Sequence, residues 1–138
     1  MHIKILTVAG GNMNDEIFLE AAENGDLETV KGLLNDGVNV NTKDEHDRTA
    51  LLKAAKHGHL DIVSLLIENG AEVDQRDNRG TTALYWASTN GYNEIVQLLI
   101  ENESEVDVHD DRGWSALDQA VAQQHTLVAD TLSAAGAH

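Results

Sequence analysis

The chain has 138 residues, a length for one domain, and carries 24 acidic against 9 basic residues for a formal net charge of −15. A field of that sign repels phosphate backbones and anionic lipid, so it argues against nucleic-acid and membrane-surface binding and favours basic or neutral partners. Cysteine is absent, which excludes a disulfide framework, a thiolate nucleophile and any cysteine-based metal site.

Residues 1–14 read as an N-terminal extension. Its short apolar run, Ile3 to Ala9, is too short for a signal peptide, and no segment is long enough to span a membrane. It is read either as a first extended segment or as residues with no part in the fold, and a cytoplasmic location is the default expectation. From residue 15 onward the chain repeats with a 33-residue step. Thr49-Ala50-Leu51 returns as Thr82-Ala83-Leu84 and then as Ser115-Ala116-Leu117. Ala54 returns as Ala87 and Ala120, Ile62 as Ile95 and Val128, and Leu66 as Leu99 and Leu132. Backwards by the same step, Gly58 maps to Gly25, Leu60 to Leu27 and Gly70 to Gly37. A fixed period of this size means one supersecondary unit repeated, each copy burying its apolar face on the next. The units run approximately 15–43, 44–76, 77–109 and 110–138.

In the first unit Asp15-Glu16-Ile17-Phe18-Leu19 stands where later units carry Thr-Ala-Leu, with Asp15 at the N-cap position, and Leu27, Val30, Leu33 and Leu34 form a second helix. The second unit shows the pattern in full. Thr49 is the N-cap, its hydroxyl accepting from a free N–H of the first turn. Leu51, Ala54 and Ala55 fall on one helical face. Gly58 supplies the positive φ that ends the short helix. Leu60, Ile62, Val63, Leu65, Leu66 and Ile67 make a helix that is apolar around most of its girth, as sandwiching between copies requires. The third unit opens on Asp77-Asn78-Arg79-Gly80, which suits a type I turn and so a projecting hairpin-like loop. The small Ala54-Ala55, Ala87-Ser88 and Ala120-Val121 pairs let the first helices lie close, which curves the stack and puts short helices and loops on its concave side. The fourth unit replaces the turn glycine with Gln124 and thins its second helix to Val128, Ala129 and Leu132. The end units are read as caps with polar outer faces. The expected architecture is all-α: four helix-turn-helix units, eight helices in all.

Asp77-Asn78-Arg79-Gly80-Thr81-Thr82-Ala83-Leu84-Tyr85-Trp86-Ala87-Ser88, Gly58-His59-Leu60-Asp61-Ile62-Val63 and Asn69-Gly70-Ala71-Glu72-Val73-Asp74 resemble the ankyrin-repeat motif, over about residues 15 to 136. The resemblance implies a solenoid with β-hairpin loops projecting at right angles and a protein-binding role. Two departures stand out. Ala50, Ala83 and Ala116 replace the family's proline, losing a pre-set φ at the start of the helix, and Leu52, Tyr85 and Asp118 replace its histidine, so the histidine's bonds to the loop are missing or remade. Somewhat looser loops are expected.

Of the seven histidines, His57 and His59 flank the turn at Gly58 and His125 takes the place equivalent to His59. His46 lies in a loop, and His2, His109 and His138 have no regular spacing with any carboxylate. A closed metal site needs three or four converging ligands, so neither a metal nor any other cofactor is expected. No Ser-His-Asp order, phosphate loop or paired-carboxylate cleft points to an enzyme.

By resemblance, recognition falls on fixed loop and first-helix positions. These are Glu20, Glu23 and Asn24 in the first unit, and Glu45, His46, Arg48, Lys53, Lys56 and His57 in the second. In the third they are Asn78, Arg79, Thr81, Trp86, Thr89 and Asn90, and in the fourth Asp111, Arg112, Trp114, Gln119, Ala122 and Gln123. The partner-binding set singled out is Arg48, Lys53, Lys56, Arg79, Thr81, Trp86, Thr89, Asn90, Arg112, Trp114, Gln119 and Gln123. Both tryptophans are in it and are expected close together and exposed, as binding anchors; the structural alternative is that each ring folds onto its own repeat. The basic residues in the set imply a concave side less acidic than the rest. The leading reading is a non-catalytic protein-binding module, monomeric alone, that grips another protein. A second reading is a single-domain inhibitor or immunity protein that blocks an enzyme. A third is a substrate of asparagine hydroxylation at Asn41, the one matching position, since Asp74 and Asp107 stand at its equivalents.

Overall fold

The computed structural model describes residues 13–138, and the extension before Met13 lies outside the described residues. Among the described residues eight helices run in chain order: α1 (Met13–Asn24), α2 (Leu27–Asn35), α3 (Ala50–Lys56), α4 (Leu60–Glu68), α5 (Ala83–Thr89), α6 (Asn93–Glu101), α7 (Ala116–Ala122) and α8 (Thr126–Ala134). They form four hairpins, each packed on the next, with no named strand among the described residues. α1 already runs at Met13, so Asp15 lies inside its first turn rather than at an N-cap. An acid there still suits the positive end of the helix dipole.

The short first helices start from hydroxyl caps. Thr49, Thr82 and Ser115 accept from the backbone N–H groups of Leu52, Tyr85 and Asp118 at 3.3, 3.2 and 3.0 Å. Ala50, Ala83 and Ala116 are buried behind them, so a cap bond begins each helix where the family's proline would have fixed φ. Core residues recur at the 33-residue step. Ile62, Val63 and Leu66 of α4, Ile95, Val96 and Leu99 of α6, and Val128 and Leu132 of α8 are all essentially inaccessible.

The row α1, α3, α5, α7 packs more closely along the stack than the row α2, α4, α6, α8. Small residues at Ala54, Ala55, Ala87 and Ala120 permit that approach. The tighter row lies on the inside of the curve.

The turn between the two helices of each unit carries a socket for the next unit. Gly25, Gly58 and Gly91 sit at φ of 81°, 79° and 80°. A Cβ on them would come within 2.7 Å of His59, 2.8 Å of Tyr92 and 2.6 Å of His125. Two constraints therefore call for glycine at one position: a left-handed backbone and a ring resting on the Cα. Gln124 holds the same backbone at φ 62° on the outer side of the fourth unit. The outer face of that unit is less polar than a cap is expected to be, since Val121 and Leu127 are both more than half exposed.

Candidate functional site

The projecting loops are built around one repeated aspartate. Oδ1 of Asp44 accepts the backbone N–H groups of His46 and Arg48 at 2.8 and 3.0 Å. Asp77 does the same for Arg79 and Thr81 at 3.0 and 2.8 Å, and Asp110 for Arg112 and Trp114 at 2.9 and 3.0 Å. Each loop is closed by its own ladder bond: Asp44 to Arg48 O, Asp77 to Thr81 O and Asp110 to Trp114 O. Antiparallel bridges join Lys43 to Thr49 and His109 to Ser115. Successive tips are also linked, Asn78 donating to His46 O and Asp111 to Arg79 O at 3.0 and 2.9 Å. The looser loops expected from the missing proline and histidine are thus replaced by densely bonded ones.

The second oxygen of each aspartate explains how the histidine's role is remade. In the third unit the Tyr85 hydroxyl reaches the next loop and donates to Asp110 Oδ2 at 2.7 Å, while itself accepting from Gln119 Nε2 at 2.9 Å. In the second unit Leu52 has nothing to donate, and Asp77 Oδ2 instead accepts from Arg48 Nε at 3.1 Å. Asp118 of the fourth unit turns back to complete a capping box with Ser115. Burial alone raises the Asp110 carboxyl pKa, but hydrogen bonds from Tyr85, the Trp114 backbone and Arg112 outweigh it and hold the group at about 2. Asp44 and Asp77 are lowered in the same way, their backbone and side-chain donors overcoming desolvation.

Several of the singled-out cations are consumed inside the molecule. Lys53 lies 3.0 Å from Asp44 and 3.4 Å from Glu23, Arg48 pairs with the buried Asp77, and Arg112 reaches Asp110 Oδ2 at 3.1 Å. The Lys56 ammonium sits 4.4 Å from the centroid of the Trp86 ring; partial burial, then the nearby Arg48 charge, lower its pKa. Arg79 is exposed, and its guanidinium makes no ion pair or hydrogen bond among the described residues.

The two tryptophans are not equivalent. Trp86 is partly covered: its indole N–H donates to Thr81 Oγ1 at 2.8 Å, Tyr85 meets it edge-on at 5.4 Å, and Lys56 caps one face. Trp114, at the fourth loop, is 46% exposed. Among the described residues no ring contact joins them, so the expected exposed pair is one held ring and one free ring. Thr81 offers the indole an acceptor, which draws Trp86 onto its own repeat. Thr81 is itself buried and positions the ring. Thr89 donates to Tyr85 O at 2.8 Å and Asn90 to Lys56 O at 2.8 Å; Gln123 is exposed at the end of α7.

A pocket of about 270 Å³ opens beside Trp86, lined by Arg79, Thr81, Tyr85, Trp86, Asp110, Asp111 and Arg112. Sequence reasoning picked Arg79, Thr81, Trp86, Asp111 and Arg112 for the contact surface, but not the floor made by Tyr85 and Asp110. The signal was available in the 33-residue step, because Asp110 repeats Asp44 and Asp77.

The remaining sequence candidates have structural places. His59 and His125 fill the glycine sockets, and His59 Nε2 lies 2.9 Å from Glu23 O. Among the described residues no three His, Asp or Glu side chains converge for a metal, and no helix is long and apolar enough to cross a membrane. Asn41 accepts the Glu72 N–H at 2.9 Å, as Asp74 accepts that of Glu105 at 2.9 Å and Asp107 that of His138 at 3.1 Å. The three positions share one duty, latching a loop to the next unit.

Two regions of the chain, residues 18–110 and 74–138, match the family model described as ankyrin repeats (3 copies). Comparison with curated proteins finds no match.

Proposed function

Because the chain belongs to the ankyrin-repeat family, whose members are generally protein-protein interaction modules, we propose that it binds another protein through the loop tips and the concave row α3, α5 and α7. Trp114 carries this reading. It is the one large aromatic of the loop tips that is nearly half exposed, and tryptophan leads the residues that anchor interfaces. The loops that present it are already ordered by Asp44, Asp77 and Asp110, so little entropy is lost on docking. Arg79 of the third loop, Gln119 of α7, and Asn90 and Gln123 at the ends of α5 and α7 supply further polar groups to this face, while Arg48 ties the second loop to Asp77 of the third and Lys53 ties α3 to Asp44. Trp86, Thr81 and Thr89 shape the surface from beneath.

Affinity capture from the source proteome, run in parallel with wild-type chain and Trp114→Ala, tests the proposal. A stoichiometric protein partner that is lost with Trp114→Ala supports it. A partner retained equally by both moves the contact elsewhere.

A further inference from the structure

The Trp86 pocket has a chemistry of its own. Its volume of about 270 Å³ falls below the range of about 300–1,000 Å³ usual for small-molecule and cofactor sites, and so suits a single side chain of a docked protein. Its polar groups are unequally spent. Asp110 accepts four hydrogen bonds, from the Arg112 and Trp114 backbone N–H groups, the Tyr85 hydroxyl and the Arg112 guanidinium, which fills the acceptor sites of a carboxylate. The Trp86 N–H is taken by Thr81. On the donor side, the Arg79 guanidinium is free, and Arg112, whose side chain is 71% exposed, commits one nitrogen to Asp110. The Lys56 ammonium lies on the ring and makes no hydrogen bond among the described residues. Around the ring three cations, Lys56, Arg79 and Arg112, face two carboxylates, Asp110 and Asp111, of which only Asp111 keeps unspent acceptors. In a chain of net charge −15 this mouth is a local excess of positive charge and of idle N–H donors.

Resting on the protein-binding reading above, we infer that the pocket receives an aspartate or glutamate side chain of the partner, with the Arg79 guanidinium donating to its carboxylate as a fork and the Trp86 and Tyr85 rings packing its methylene stem. The long-range field of the chain disfavours acidic proteins, so the pocket selects one acidic residue within a partner segment that is otherwise neutral or basic. The pairing works as a register pin: it fixes where the segment lies along the stack.

The test is selection of random peptides, displayed through their C-termini, on the immobilised full chain, followed by the same selection on Arg79→Glu. Arg79 is exposed and its side chain is unbonded, so the fold of that variant is expected to be unchanged by circular dichroism. The inference predicts wild-type clones that share an Asp or Glu at one position and lose about tenfold or more in affinity on Arg79→Ala. It also predicts that Arg79→Glu selects Lys or Arg at that position, an inversion that a merely structural arginine would not produce. Clones sensitive to Trp114→Ala but sharing Lys or Arg, or the same preference on both baits, overturn the inference and leave the protein-binding face intact. Clones indifferent to Trp114, Trp86 and Arg79 alike overturn both.

Discussion

The third and fourth units are cut from one template and differ in what lies over them. In the third, Gly91 receives the His125 ring, Ser88 is buried, Tyr85 bonds to the following loop and Trp86 is held by Thr81 and Lys56. In the fourth, the equivalent positions are Gln124, Val121, Asp118 and Gln119, and nothing among the described residues is stacked beyond them. Val121 is 62% exposed, and Trp114 stands free on the loop. A residue's task here follows from whether a successor packs on it. Interior positions are fixed by fit, and end positions are free to carry polar caps or contact residues.

The largest expected effects come from the shared interior. Leu66→Ala and Leu99→Ala remove fully buried side chains and are each expected to cost about 2–5 kcal/mol in denaturant unfolding. In a stack where each unit depends on its neighbours, that loss acts on the whole cooperative transition. Melting within a degree or two of the parent would show that these helices do not share a core.

Gly91→Ala comes next, at about 2–4 kcal/mol, because the new Cβ meets His125 and the backbone is left-handed. Gln124→Gly is the matched control. Relief of a left-handed backbone, about 1–2 kcal/mol, less the added chain entropy of glycine, about 0.4–1 kcal/mol, predicts a small gain in stability. Equal behaviour of the two sites would break the comparison.

The tryptophans sharpen it on the functional side. Trp114→Ala is expected to leave the thermal transition within about 0.5 kcal/mol of the parent and to weaken partner binding by about 2 kcal/mol. Trp86→Ala is expected to lower stability by about 1–2 kcal/mol as well, through its lost bond to Thr81 and its contacts with Tyr85 and Lys56. If the two exchange behaviours, the assignment of held and free rings is reversed.

Acid unfolding gives a smaller signal from the fourth loop. The Asp110 carboxyl lies below its ordinary value of 3.8, at about 2. A depressed carboxyl contributes stability that is complete above the ordinary value and is lost as pH falls through the folded one. Stability is therefore expected to decline between about pH 4 and pH 2. Asp110→Asn should lower stability at neutral pH and flatten part of that decline, with Asp44 and Asp77 supplying the rest.

The helices, their order and their caps at Thr49, Thr82 and Ser115 were legible because a 33-residue step reports the same environment several times. The site was legible by position and not by partner. Sequence alone marks Arg48, Lys53 and Arg112 as basic contact residues, but the carboxylates that pair with them sit 29 and 30 residues away, at Asp77 and Glu23, or within the same unit, at Asp44 and Asp110. Such pairings depend on loop curvature, which periodicity does not encode. The partial cover of Trp86 was hidden for the same reason: its Thr81 acceptor lies five residues back and is met only when the loop folds over the helix. The glycine sockets could have been read, since His59, Tyr92 and His125 each follow a turn glycine by 34 residues. Asp47 and Glu103, also at positive φ, likewise stand where sister units have Gly80 and Gly70.

The central claim is that one face of the stack, the loop tips with α3, α5 and α7, meets a protein partner. Hydrogen-deuterium exchange of the free chain and of its complex with the captured partner tests it most directly. The account predicts added protection in the loops around Asp77–Thr81 and Asp110–Trp114 and at the exposed ends of α5 and α7, with α4, α6 and α8 unchanged. Protection confined to α4, α6 and α8, with the two loops exchanging as in the free chain, would contradict it.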